Sequence, residues 1–152
     1  MANICKMSSP STLDLLKVNI ARCREVGLRR TWALEELLKR LIETSRPLTL
    51  ADLAETPELK DRCDKATIFR LLVRLEKHGI LRRLGLHDRA AYYTLIEPGH
   101  HSDYLICTQC GAIETLDIAC PVEALEAQIS KESGYKKLYH ELEFFGVCPS
   151  CL

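Results

Sequence analysis

Apolar positions along the chain repeat first at helical and later at strand spacing. Leu34, Leu37, Leu38, Leu41 and Ile42 follow i, i+3, i+4, i+7 and i+8, one stripe of an amphipathic helix. That helix is expected to stop near Ser45, because Pro47 biases Arg46 away from helical angles. Thr49 reads as the N-cap of a short helix over 50–55. A turn-rich stretch, Thr56-Pro57 and 61–64, leads to a further helix over 65–78, with Asp64 as its cap and Gly79 as its stop. The apolar runs 80–86 and 91–96, separated by His87-Asp88-Arg89, predict a β-hairpin. Pro98-Gly99 is the obvious joint. Beyond it, 104–107 and 112–116 read as strands, and Pro121 fits the first turn of a helix running to about Ser133. The aromatic, alternating stretch 135–147 predicts one more strand.

Composition agrees with a folded chain: 152 residues, 47% hydrophobic, enough to bury a core. No apolar run approaches the ~18 residues of a membrane span, and the opening MANICKMSSPS lacks the apolar stretch of a secretory signal. A cytoplasmic location with no membrane partner is the expectation, and there eight cysteines are thiols or metal ligands more often than disulfides. The net charge of zero is a cancellation. Through Ile96 there are 18 Lys and Arg against 12 Asp and Glu; from Glu97 on there are 3 against 9, which together make the chain's 21 and 21. One half is therefore suited to a polyanion and the other to different work.

The helix over 65–78 carries the basic half's chemistry. At 100° per residue Ile68, Leu71, Leu72 and Leu75 fall within about 100° of one another, and Arg70, Arg74 and Lys77 lie on the other side. One face can pack while the other presents cations. Three helices, this basic helix among them, followed by a two-stranded hairpin make the layout of a winged helix-turn-helix, whose last helix enters the major groove of double-stranded DNA. Arg29 and Arg30 before the long helix, and Arg82, Arg83 and Arg89 on the hairpin, extend the footprint. The competing reading is an ordinary solvated face.

In the acidic half, Cys107-Thr-Gln-Cys110 and Cys148-Pro-Ser-Cys151 are two CxxC pairs with residues 111–147 between them. Two thiolates at this spacing share one cation, and four complete the tetrahedral shell of structural Zn2+. The gap exceeds the usual ribbon spacing, which a strand–helix–strand insert would explain. A redox dithiol is the competing chemistry, but that usually needs one pair beside a βαβ unit. No P-loop, GxSxG or HExxH occurs, nor the H-x-E of a zinc deaminase, so no enzyme is expected. Cys5, Cys23, Cys63 and Cys120 stand alone and read as buried or incidental. His101 and Asp103 before the first pair, with Glu123 and His140 further on, could form a second shell of N and O donors suited to Zn2+, Fe2+ or Mn2+. Scattered polar residues are the plainer account of them.

The chain resembles the ferric uptake regulator (Fur) superfamily over nearly its whole length. The matching stretches are GLRRT at 27–31, ATIFRLLVRLEKHGIL at 66–81, HSDYLICTQCG at 101–111 and GVCPSC at 146–151. The family's T-V-Y-R helix motif stands here as Thr67-Ile68-Phe69-Arg70. The resemblance implies an α+β chain: a winged-helix DNA-binding domain over 1–97, then a small α/β, zinc-stapled dimerisation domain over 98–152. It also implies a homodimeric, metal-responsive repressor of metal-uptake genes, working on a palindromic, A·T-rich operator. By position, Cys107, Cys110, Cys148 and Cys151 match the structural zinc ligands. His101, Asp103, Glu123 and His140 match a second metal site, with one extra residue between Gly111 and Glu123. Phe69 and Arg70 match a DNA-contacting pair, with a hydroxyl lost at Phe69. Beside that match, Arg70 and Arg74 are expected at bases or phosphates and Lys65, Lys77 and Arg29 at the DNA backbone, with Thr67 of the same motif among the DNA-binding residues.

The departures concern the site between the family's domains. Where the family often writes H-H-D-H, this chain has His101-Ser102-Asp103-Tyr104, and the acidic ligand of the second wing strand falls near Thr94 or Leu95. His87, Glu97, His100 and Glu114 are the candidates left for that site. Losing the H-H-D-H signature points away from iron or peroxide sensing and towards a zinc-uptake-regulator-like member whose second metal is Zn2+. Iron or manganese sensing, or a thiol redox switch, is the alternative.

Overall fold

The computed structural model describes residues 11–44, 46–86, 88–98, 102–116 and 118–152. The chain divides into two compact units, Met1–Ile96 and Glu97–Leu152. The architecture is α+β, a helical unit with a small wing followed by a three-stranded sheet and one helix.

In the first unit, α1 (Thr12–Glu25) and α2 (Trp32–Thr44) precede a two-residue strand, β1 (Leu48–Thr49). Next come α3 (Leu50–Ala54), α4 (Pro57–Lys60), α5 (Lys65–Lys77), β2 (Leu81–Leu84) and β3 (Tyr92–Leu95). The predicted stripe of α2 is the buried one: Leu34, Leu37, Leu38 and Leu41 lie inside. They pack in one cluster with Leu53, Leu59, Ile68, Leu72 and Leu75, all 1% exposed or less. Side chains of this size each contribute about 1.5–3 kcal/mol when taken out of water, so this cluster fixes where α5 sits. The hairpin pairs Leu81 with Leu95 through Leu84 with Tyr92, antiparallel.

Local caps set the boundaries. Thr49 and Asp52 make a reciprocal capping box, with Asp52 N–H donating to Thr49 Oγ1 at 3.0 Å and Thr49 N–H donating to Asp52 Oδ2 at 2.8 Å. Asp64 accepts from Thr67 N–H at 2.8 Å at the start of α5, and Gly79, at φ +67°, takes the chain out of it. Two elements lie outside what the sequence pattern predicts. β1 pairs with β3 in only two positions, below the length that shows a period. Pro57–Lys60 forms one helical turn where the turn residues around it suggested none; Pro57 at its first turn and buried Leu59 account for it.

The second unit is β4 (Asp103–Cys107), β5 (Ile113–Leu116), α6 (Glu123–Ser133) and β6 (Glu143–Gly146), ending in a single 3₁₀ turn, Pro149–Cys151. Its sheet runs β5-β4-β6, antiparallel between β4 and β5 and parallel between β4 and β6. The strand expected over 135–147 is much shorter. Tyr135 and Tyr139 are 69% and 78% exposed and Lys137 has φ +55°, so the aromatic alternation there lines no core. α6 begins two residues after Pro121 and stops at Gly134, in the left-handed conformation at φ +76°. No described helix is long and apolar enough to cross a membrane.

Candidate metal centre and nucleic-acid interface

The parallel pairing of β4 and β6 explains the long gap between the CxxC pairs. Parallel neighbours need a crossover, here β5 and α6, and the register sets Cys107 opposite Gly146. Both pairs therefore leave the sheet at the same end. Gly111, at φ +77°, turns the chain after the first pair, and the 3₁₀ turn brings Cys151 back towards Cys148. The four Sγ atoms lie within 4.8 Å of one another, with Cys110 and Cys148 at 3.8 Å. Four thiolates around a tetrahedral Zn2+ at about 2.3 Å sit about 3.8 Å apart, whereas a disulfide needs about 2.05 Å. The spacing fits a shared cation, and Cys107, Cys110, Cys148 and Cys151 are free thiols.

The electrostatics fit it too. Backbone N–H groups of Cys110 (3.5 Å) and Cys148 (3.4 Å) point at Cys107 Sγ and draw its thiol down to about 5. The thiols of Cys148 and Cys110, crowding Cys151, push it up to about 12. Four sulfurs this close cannot all ionise by themselves, and a divalent cation removes the conflict. The same atoms could hold any thiophilic divalent ion.

The second proposed ligand set is only partly in view. His101 lies outside the described residues. Asp103 is buried at the first position of β4, opposite Leu116, and Glu123 is exposed at the first position of α6. His140 is half-buried, pairing through Nδ1 with Glu126 and placing Nε2 3.1 Å from Cys120 Sγ. Among the described residues the four cysteines are the one group of three or more His, Cys, Asp or Glu side chains near enough to share an ion. Asp103, Glu123 and His140 are not brought together in this way. Cys120 and Glu126 were missed as neighbours of His140, although Glu126 lies one helical turn after Glu123, a spacing that shares a face. Of the remaining candidates, Glu97 and Glu114 are exposed, and His87 and His100 lie outside the described residues.

On the first unit, α5 buries Ile68, Leu72 and Leu75 and turns Lys65, Arg70, Arg74 and Lys77 to solvent. Phe69 and Val73, 50% and 42% exposed, stand among these cations. Thr67 Oγ1 donates to Asp64 Oδ2 at 2.8 Å and accepts from Arg70 Nη2 at 2.9 Å, so the helix cap also orients the Arg70 guanidinium. Lys65, Phe69, Val73 and Arg83 line an open groove shared with the hairpin. Arg29 is exposed ahead of α2.

Not every basic residue faces outward. Arg82, expected on the cationic surface, is only 8% exposed, because it lies two residues before buried Leu84 on the same face of β2, and Arg83 is the exposed one. Arg30 pairs with Glu35, and Arg62 stacks 3.9 Å over the Trp32 ring. Arg22 donates to the Ile96 carbonyl at 2.6 Å and the Gly79 carbonyl at 3.2 Å, tying α1 to the wing. Part of the basic excess is thus structural.

Comparisons with known proteins agree with this fold. The profile of the ferric uptake regulator family matches residues 25–145. The ferric uptake regulation protein of Neisseria meningitidis is 39% identical over 87 residues, 57% of this chain and 58% of that protein, so the chain spans little more than half of that relative's length. The protein of the same name from Campylobacter jejuni is 31% identical over 134 residues, covering 84% of this chain and 82% of its own. The solved structure of the Helicobacter pylori ferric uptake regulator superposes with a TM-score of 0.70 over 93% of this chain and 94% of that one, at 22% identity, a likeness of fold. The chain belongs to the ferric uptake regulator family.

Proposed function

We propose that this protein is a homodimeric, metal-responsive DNA-binding repressor of metal-uptake genes. The exposed basic face of α5 carries the reading. A capped helix offers Arg70 and Arg74 to base edges or phosphates, with Lys65, Lys77, Arg29 and the Thr67 hydroxyl placed for the backbone. Phe69 contributes an apolar edge and no hydroxyl, so a hydrogen bond that a tyrosine would make to DNA is missing here. One such helix reads few base pairs, so two copies on a palindromic, A·T-rich site supply the rest. The apolar surface of the second unit supports pairing: Leu105, Phe144, Phe145 and Val147 are each about two-fifths or more exposed.

In this reading Cys107, Cys110, Cys148 and Cys151 hold a structural Zn2+, which lets the second unit fold. A second ion, held by His101, Asp103, Glu123 and His140, is the signal, and zinc is the sensed metal. That ion raises DNA affinity by the margin with which it prefers the DNA-competent state, and DNA raises metal affinity by the same factor. A thiol switch is the second reading, favoured by four thiols within 4.8 Å of one another, Cys110 exposed among them, which are close enough to pair as disulfides once metal is lost.

Operator binding by Asp103→Ala and His140→Ala, each with the four-cysteine zinc verified as present, separates these readings. The sensor account expects both variants to lose metal-dependent binding. A full metal response in both removes these residues from the mechanism. Operator binding lost to mild peroxide and restored by thiol, with no effect of chelation, would favour the thiol switch.

A further inference from the structure

Cys120 reads from the sequence as an isolated thiol, yet it belongs to a three-residue arrangement. It lies in the loop between β5 and α6, with Sγ 3.1 Å from Nε2 of His140, which stands just before β6. The opposite ring nitrogen, Nδ1, meets Glu126 Oε2 on α6. All three side chains are half-buried. A carboxylate accepts hydrogen bonds, so Glu126 can hold the imidazole by an Nδ1–H bond and present Nε2 on the side of the sulfur. Imidazoles that ligate metals are commonly held this way, one nitrogen on the ion and the other donating to a carboxylate.

We propose that Cys120 Sγ and His140 Nε2 are adjacent ligands of one divalent cation, with Glu126 orienting the imidazole. This rests on the reading of His140 as a ligand of the second metal and names a soft donor for that site. With metal–sulfur near 2.3 Å and metal–nitrogen near 2.0–2.1 Å, neighbouring donors in a tetrahedral shell are about 3.5 Å apart. The observed 3.1 Å requires the pair to open by a few tenths of an ångström. Binding replaces the thiol proton: the S–H bond breaks, the proton leaves to water, and S–metal and N–metal bonds form with no change of oxidation state. A thiolate in the shell favours Zn2+ and Co2+ over Mn2+, because sulfur is the softer ligand.

Co2+ is the probe, since a cobalt–thiolate bond adds a near-ultraviolet charge-transfer band that N and O ligands do not give. Protein carrying one Zn2+ per chain, verified by metal analysis before and after, is titrated with one further equivalent of Co2+. The expected result is a charge-transfer band that saturates with that equivalent and is absent in Cys120→Ser. Glu126→Gln should keep the band and bind Co2+ about 10–100-fold more weakly. Bound cobalt without the band in the parent protein, an unchanged band in Cys120→Ser, or no second cobalt at all overturns the proposal. His140→Ala separates the two levels. If it binds the second cobalt as the parent does, the second-site reading itself fails; if it loses the metal while Cys120→Ser leaves the spectrum unchanged, only the role of Cys120 fails.

Discussion

Removing zinc from the four-thiol cluster should unfold the second unit and leave the first standing. The reason lies in how little the second unit buries. Among its described residues the buried hydrophobic side chains are Tyr104, Ile106 and Cys107, and α6 buries none. Tyr104 and Ile106 together contribute about 3–6 kcal/mol by area, too little to order a unit of this size without a staple. Structural zinc in small thiolate sites supplies on the order of 10 kcal/mol, so the metal is the larger share. The first unit rests instead on the Leu-rich cluster around α2 and α5. Amide hydrogen exchange followed by mass spectrometry, on zinc-loaded and zinc-stripped reduced protein, reads both units at once. Protection in β4, β5 and β6 should fall to that of a free chain, with α2 and α5 unchanged. Stripped protein that keeps β4 and β6 protected would show that sheet packing or self-association suffices, and the staple argument would be wrong.

Three further outcomes follow from the first unit. Arg70→Ala and Arg74→Ala should each lower the slope of log affinity against log salt by about 0.9 if the guanidinium neutralises a phosphate, or relax base preference at a cost of about 1–3 kcal/mol if it reads guanine; quantitative binding at several salt concentrations tells which, and no change in either excludes the residue. Leu72→Ala, at a fully buried position, should cost about 2–5 kcal/mol in urea unfolding of the first unit, and a loss under 1 kcal/mol would mean that α5 is not packed as described. Hydrogen bonds from Thr67 hold the Asp64 carboxyl below its ordinary value. The cap's contribution is therefore complete above the ordinary carboxylate range and is lost as pH falls through the lowered value. Asp64→Asn, still a good cap, should flatten that part of the acid limb in circular dichroism, and parallel limbs would deny the cap a role.

The parts legible in the sequence were those whose signal is local. α5 is legible through an N-cap, a clean 3.6-residue stripe and a terminating glycine, all between Asp64 and Gly79. The CxxC pairs were legible because ligand spacing is a local geometry, although only the parallel register of β4 and β6 explains the gap between them. What escaped depends on partners distant in sequence. β1 exists because β3 offers it an edge, and the span before β6 stays irregular although its aromatics suggest a strand. Arg82 is buried on the strand face it shares with Leu84, where its charge suggests the surface. Cys120 and Glu126 meet His140 only because the crossover folds three segments together, which no motif spells out.

Metal control of DNA binding stands or falls on one titration. Protein with zinc in the four-thiol cluster, and otherwise metal-free, is titrated with Zn2+, Fe2+ and Mn2+ while its binding to a palindromic A·T-rich duplex is followed. The expected coupling is about 1–3 kcal/mol, a 5–150-fold rise in affinity, with Zn2+ effective at the lowest free concentration. Unchanged affinity with all three ions would contradict the regulator proposed here and leave only a zinc-stapled DNA-binding protein.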